Sequence, residues 1–147
     1  MTTIGSVSST TNSGFAAKRI KIILPTGITT FRQKVFTSSN FYAQSQLVIP
    51  ANTKSLGSER GFGSITTLTD IIFLADTFTS LGGYRMFNGT NANLVFKNAT
   101  AVAPSIDSNG FSGNVYVPDA LLDSWKSASG WSGIASRIKP LSEWTTT

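Results

Sequence analysis

The sequence has no cysteine and no histidine. Without cysteine, the chain can form no disulfide, no thiolate metal site and no thiol nucleophile. Without histidine, it lacks the Ser–His and Cys–His pairs on which most nucleophilic hydrolases depend. Oxygen ligands alone would have to hold any metal. We therefore expect no metal site and no cofactor.

Charge is also scarce, because Asp, Glu, Lys and Arg make up only 13 % of the 147 residues. Ser, Thr, Asn and Gly are abundant instead, a composition typical of extracellular or virion β-structure. The net charge of +5 would favour anionic surfaces, but most of the 12 basic residues are spread along the chain. Only Lys18, Arg19 and Lys21 cluster. We expect them to be solvated on a strand edge, where they would oppose edge-to-edge pairing, rather than to bind nucleic acid.

Long apolar runs are missing too. No run approaches the roughly 18 residues of a membrane-spanning helix, so we expect no membrane span. The first residues, MTTIGSVSSTTNSG, lack the basic region and following apolar region of a secretory signal peptide. The sequence therefore predicts one domain that is made without an export leader.

What the chain does have is a repeat. Short β-favouring groups end just before Pro25, Pro50, Leu74, Lys97 and Pro118, at intervals of roughly 20 to 25 residues. Each of the first four is followed by a phenylalanine about half a period further along the chain (Phe36, Phe62, Phe87, Phe111). A smaller apolar residue lies between group and phenylalanine (Ile28, Leu56, Leu81, Val102). Three features therefore recur at the same spacing: the β-favouring group, the smaller apolar residue and the phenylalanine.

Self-similarity at this period predicts a leucine-rich-repeat solenoid. A strand of three or four residues can neither cover its apolar face nor pair its backbone alone, and stacking similar units solves both problems. We therefore predict a mainly β fold with short helices: about four coils with parallel strands, a column of stacked phenylalanines and a helical C-terminal cap. The alternative is an ordinary β-sandwich, which the three recurring marks disfavour.

Two segments carry a resemblance to a family. Residues 48–62, VIPANTKSLGSERGF, and 73–87, FLADTFTSLGGYRMF, resemble the BspA-like subclass of leucine-rich repeats, whose pattern is I-x-I-P…V-x-x-I-G-x-x-A-F. The match covers roughly residues 20–113. The first repeat departs from the pattern at Phe31, and the fourth departs from it at Lys97.

The C-terminal run also resembles proteins of that kind. Residues 115–144 are similar to the segment that closes such repeats in Bacteroides-type gut bacteria and their phages. Asp119 is a candidate N-cap, and Gly130 suits the end of the helix that follows. A short turn would follow over 131–138, and the chain would then run extended from Pro140 to Trp144. The three tryptophans all lie here, and we expect them to pack in the cap rather than form a carbohydrate platform (Trp125, Trp131, Trp144).

We divide the chain into an N-terminal arm (1–14), the repeats (15–113) and the cap (114–147). The arm is poor in apolar residues, so alone it would be a flexible tail and on a partner it would fold on binding, with Ile4 and Val7 as contacts. Residues 20–24 would form the first strand. Seven residues are candidate partner contacts, although Phe41 and Tyr42 could instead cover one end of the solenoid (Ile4, Val7, Lys18, Arg19, Lys21, Phe41, Tyr42).

The seven acidic residues offer little for catalysis. A glycosidase needs two carboxylates across a cleft, whereas Asp70 and Asp76 flank opposite ends of the third strand. Asp119 and Asp123 are one helical turn apart, and the start of the helix explains both. We expect no enzymatic activity, and a polysaccharide-cleaving enzyme is the least favoured interpretation.

The resemblance and the missing export leader together indicate a structural phage virion protein. It would be a head or tail decoration or fibre component, anchored by its arm to other virion proteins and showing its repeat surface outward. Virion appendages are usually cyclic oligomers, so we expect a homo-oligomer. The alternative is an adhesin at the bacterial cell surface that binds a host glycan or protein.

Overall fold

A computed structural model of the protein describes residues 2–4, 23–31, 46–56, 62, 68–83, 86–108 and 110–146. Within them the chain is mainly β with short helices. The strands are β1 (Thr2–Ile4), β2 (Ile28–Phe31), β3 (Gln46–Ile49), β4 (Ser55–Leu56), β5 (Asp70–Phe73), β6 (Ser80–Leu81), β7 (Asn93–Phe96), β8 (Val115–Val117) and β9 (Ile138–Pro140). Helix α1 spans Leu122–Ser127, and 3₁₀ turns span Asp119–Leu121, Ser132–Arg137 and Leu141–Glu143.

The strands form two parallel sheets. The larger sheet has the order β3-β5-β7-β8-β9, and the smaller has the order β1-β2-β4-β6. In the larger sheet one row of buried, register-paired residues runs through every strand (Leu47, Ile71, Leu94, Val115, Ile138). Each member of this row lies one period after the previous member. The predicted mainly β class with parallel strands is confirmed.

The smaller sheet was not predicted. The midpoint residues Leu56 and Leu81 are paired in register in strands of two residues each, and both are buried. Phe31, rather than Ile28, is paired with Leu56. Ile23 and Leu24, which we predicted to end the first strand, lie in no strand, and residues 20–22 lie outside the described residues.

Hydroxyl side chains satisfy backbone groups one unit away. Thr53 Oγ1 donates to the carbonyl of Ile28 at 2.6 Å, and Thr90 Oγ1 donates to that of Phe62 at 2.7 Å. Both threonines are buried, and a buried hydroxyl is costly unless it is hydrogen-bonded. Exposed Thr79 and Thr100 make the same kind of bond with offsets of 25 and 24 residues. The abundance of hydroxyl residues thus has a structural reason.

Aromatic rings stack in the core in two rows. Phe62 lies 5.5 Å from Phe87 with nearly parallel rings, and Phe87 lies 6.2 Å from Phe111. These contacts are those of the predicted phenylalanine column, while Phe36 lies outside the described residues. A second row, not predicted, runs from the strands into the cap at centroid separations of 4.8, 4.8 and 4.7 Å (Phe73, Phe96, Trp125, Trp131).

The cap closes both rows. Trp125 and Trp131 are fully buried, as predicted, and Trp131 Nε1 donates to the carbonyl of Ala103 at 2.8 Å. The guanidinium of Arg137 lies 5.0 Å from the ring centre of Phe111 and donates to the Phe111 carbonyl. Gly130 has a φ of 81°, and a Cβ there would collide with Ser105.

Two predictions about the cap were wrong. Asp119 does not cap a helix: its carboxylate accepts the backbone N–H of Ser142 at 3.0 Å, and no side chain caps the turn or α1. The run from Pro140 to Trp144 is not extended, because β9 ends at Pro140 and a 3₁₀ turn follows. The strands β8 and β9 belong to the larger sheet, so the cap continues that sheet, and α1 lies against β9.

Phe62→Ala should lower the free energy of unfolding by about 3–5 kcal/mol, because it empties a buried place in the phenylalanine stack. Ile23→Ala is the matched control, since this side chain is 80 % exposed. It should cost less than about 0.5 kcal/mol. Urea melts measure both values, and equal losses would contradict the assignment of these residues to core and surface.

Candidate functional site: the outer face of the larger sheet

The candidate site is the face of the larger sheet that points away from the core. Successive side chains of a strand point to opposite faces, so Leu47 and Ile49 face the core while Gln46 and Val48 face outward. The register extends these two positions into two rows. The polar row is Gln46, Asp70 and Asn93, and the second row is Val48, Ile72, Val95, Tyr116 and Lys139.

The polar row is centred on Asp70, which is only 2 % exposed. Its Oδ1 accepts hydrogen bonds from Asn93 Nδ2 at 3.0 Å and Trp144 Nε1 at 3.2 Å. Its Oδ2 accepts from Gln46 Nε2 at 3.1 Å and Thr69 Oγ1 at 3.2 Å. Burying a carboxylate is costly unless hydrogen bonds satisfy it, and here each oxygen has two donors.

This geometry makes Asp70 a structural anchor. A general base must have an oxygen within hydrogen-bond reach of the proton that it takes. Both oxygens of Asp70 are already occupied by donors from the same chain. The neighbouring amide is engaged as well, because Asn93 Oδ1 accepts the backbone N–H of Asn114 at 3.1 Å. The polar row therefore ties strands together.

The bond from Trp144 is the longest-range of these contacts, with a sequence separation of 74 between the partners. Trp144 follows β9, at one edge of the sheet, yet its indole reaches β5 on the far side of β8 and β7. Asp70 lies in the polar row, so the C-terminal tail crosses the outer face to reach it. The tail thus joins strands that do not pair with each other.

Exposure changes along the second row. Val48 is 44 % exposed, Ile72 is 6 % exposed and Val95 is fully buried, although all three face away from the main core cluster. Tyr116 and Lys139 are half-buried. The open part of the apolar row is therefore its N-terminal end.

Of the seven predicted contact residues, the structure describes one. Ile4 is in β1, where it is paired in register with Phe31 of the same chain. The other six lie outside the described residues, so their role stays a prediction (Val7, Lys18, Arg19, Lys21, Phe41, Tyr42).

Sequence reasoning missed the polar row and the tail contact. A signal for the row was present, since Gln46, Asp70 and Asn93 each begin a strand and are separated by 24 and 23 residues. No signal pointed to Trp144. Its partner is fixed by the path of the chain after β9, which no spacing in the sequence reveals.

The pKa values of two exposed carboxylates are lowered. The hydrogen bond and the positive charge of Lys54, at 2.8 Å, lower the pKa of Asp76. Hydrogen bonds from Ser142, from its side chain first and its backbone second, lower the pKa of Asp119. Both groups therefore favour the ionised form.

In the described part of the chain, no group of three or more acidic side chains comes together in a way that could hold a metal ion. Among the same residues, no helix has both the length and the apolar character needed to cross a membrane.

Trp144→Phe should cost about 1–2 kcal/mol of unfolding free energy, because it keeps a ring but removes a donor to a buried carboxylate. The second variant of the cycle is Asp70→Asn, whose amide hydrogens would face groups that donate hydrogen bonds to the Asp70 carboxylate. In a double-mutant cycle by urea denaturation the two losses should be strongly non-additive. Additive losses would show that the indole and the carboxylate do not interact.

A carboxyl titration followed by NMR should give midpoints for Asp76 and Asp119 below the ordinary value of 3.8. Because both pKa values are lowered by folding, each group stabilises the protein above that pH and loses its contribution as the pH falls further. Lys54→Met should raise the midpoint of Asp76 and leave that of Asp119 unchanged. A shift of both, or of neither, would contradict the assigned causes.

No protein-family model matches the chain, and no curated protein or solved structure matches it.

Proposed function

We propose that this protein is a non-enzymatic structural component of a phage virion. In this proposal it is a leucine-rich-repeat solenoid of about four coils with a helical C-terminal cap. Its N-terminal arm (residues 1–14) anchors it to other virion proteins, and the repeat surface faces outward. The protein is located in the virion, where copies of the chain assemble into a homo-oligomer.

One observation carries the architectural part of the proposal: neighbouring strands of the larger sheet are parallel and pair in register with the strand one period away. Such pairing is what stacked units of that length would make. Backbone hydrogen bonds with similar offsets support it away from the strands, as between Thr100 and Asp76. The virion part of the proposal rests on the resemblance of residues 48–62 and 73–87 to BspA-like repeats of gut bacteria and their phages.

The state of the carboxylates supports a non-enzymatic role. A glycosidase needs one carboxylic acid that keeps its proton near neutral pH and a second carboxylate beside it. The pKa values of Asp76 and Asp119 are lowered, which is the opposite of what a proton donor requires. Asp70 has both oxygens occupied, so it is not free to act as the second group.

The alternative is an adhesin that binds a host glycan or protein with the outer face. One observation favours it: Tyr116, Lys139 and Trp144 all lie only half-buried on or beside that face. An aromatic ring and a nearby cation suit a sugar or an acidic peptide. The cell surface is the location that this alternative implies.

Mass spectrometry of purified particles tests the main proposal. The chain should be present at a copy number that matches a symmetry of the particle relative to the capsid protein. Its absence from particles made in the same infection would contradict a virion role. A glycan array with the recombinant chain tests the alternative, and release of reducing sugars from host capsule would contradict both non-enzymatic interpretations.

A further inference from the structure

The tail of the chain, residues 141–146, crosses the outer face of the larger sheet on a diagonal. It leaves β9 at Pro140, at the carboxyl end of the strands, and Trp144 bonds to Asp70, the first residue of β5. The strands β8 and β7 lie between β9 and β5. The path from β9 to Asp70 therefore passes over the middle of the outer face, where Val95 is the outward residue of β7.

The burial of the outward apolar side chains matches this path. Val95 of β7 is fully buried and Ile72 of β5 is 6 % exposed, yet neither belongs to the core cluster. Val48 of β3 is the next member of the same row, beyond the strand that Trp144 reaches, and it is 44 % exposed. The three side chains are all aliphatic and β-branched, so the difference in exposure reflects what lies over them. The tail accounts for this difference.

Few contacts hold the tail in place. In the part of the chain that the structure describes, its hydrogen bonds to the rest of the fold go to two carboxylates. Asp119 accepts from Ser142 at the start of the tail, and Asp70 accepts from Trp144 at its far end. Four of the six tail residues are exposed. A segment with so few buried contacts opens locally at a lower cost in free energy than the core does.

The other two tryptophans are held differently. Trp125 and Trp131 are fully buried, and both rings pack against Phe96 in the core. Trp144 is only half-buried and lies outside the core cluster. Lifting the tail from the sheet would therefore leave the aromatic contacts of the core in place.

We propose that the tail is a detachable strap over an apolar strip, formed by Val48, Ile72 and Val95, and that the bond from Trp144 to Asp70 is its clasp. When the strap opens, both sheets stay folded and the strip becomes one continuous apolar row on the outer face. Contiguous exposed apolar surface favours association with other molecules, so the strap determines when the outer face presents it. The inference concerns contacts within one chain and is independent of the proposed virion role.

Thiol labelling tests the strap, because the natural chain has no cysteine. Three variants of the full chain carry the same substitution in three settings: Val48→Cys on the exposed part of the strip, Val95→Cys under the strap and Val115→Cys in the core. Absorbance follows their reaction with a chromogenic disulfide reagent in native buffer. Val48→Cys should react fastest. Val95→Cys should react more slowly than Val48→Cys but at least about tenfold faster than Val115→Cys, since it needs only local opening.

Second substitutions separate opening of the strap from global unfolding. Trp144→Phe removes the donor of the clasp, so it should speed labelling of Val95→Cys about fivefold or more. Phe62→Ala weakens the core instead, so it should speed labelling of Val115→Cys about a hundredfold or more and change that of Val95→Cys less than about twofold. Low urea should also speed labelling of Val115→Cys far more, because its effect scales with the surface that opening exposes.

Equal labelling rates of Val95→Cys and Val115→Cys, both accelerated alike by Phe62→Ala, would overturn the proposal, because the tail would then leave the sheet only on global unfolding. An unchanged rate of Val95→Cys after Trp144→Phe would overturn it as well. Thermal melts show whether each variant folds. Ile72→Cys provides a second position under the strap if Val95→Cys does not fold.

Discussion

Backbone pairing between successive units is the interaction on which the rest of this structure depends. The strands have two to four residues, too few to be stable alone. Each is paired with the strand one unit away, so an apolar position in one unit meets the same position in the next. The core rows, the stacked rings and the polar row of the outer face all follow from this one register.

The composition follows from the same constraint. Strands and turns that face a neighbouring unit leave carbonyl groups that need donors, and short hydroxyl side chains supply them without adding charge. Thr53 and Thr90 do so in the interior, and Thr79 and Thr100 do so at the surface. The low content of charged residues therefore fits a chain that is held together by hydrogen bonds between units and by apolar burial.

The C-terminal segment covers the aromatic rows of the core. At the C-terminal end, Trp125 and Trp131 continue the ring row that begins with Phe73, and Arg137 covers Phe111. The tail then returns over the outer face to Asp70. Ile23 and Val48, by contrast, are exposed. The contacts of the C-terminal segment bury aromatic rings and so stabilise the fold.

Local spacing predicted the features that repeat. The parallel strands 47–49, 71–73 and 94–96, the contacts of Phe62 with Phe87 and of Phe87 with Phe111, and the buried Trp125 and Trp131 all follow from apolar periodicity. The features that spacing missed depend on the path of the chain in three dimensions. The turn after β9 brings the backbone N–H of Ser142 to the carboxylate of Asp119. The same turn leads the chain back over the sheet, so that the indole of Trp144 reaches Asp70. The strand β9 was missed because residues 131–138 were predicted to form a turn, although Pro140 lies one period beyond Val117, its partner in β8.

Disulfide formation between introduced cysteines tests the register most directly, because the natural chain has none. Val48 and Ile72 are paired partners on the outer face, and adjacent strands lie about 4.8 Å apart, within the range that a disulfide spans. The variant with Val48→Cys and Ile72→Cys should oxidise readily to an intramolecular disulfide, whereas Val48→Cys with Leu74→Cys should not. Preferential cross-linking of the second pair, or equal cross-linking of both, would contradict in-register parallel pairing.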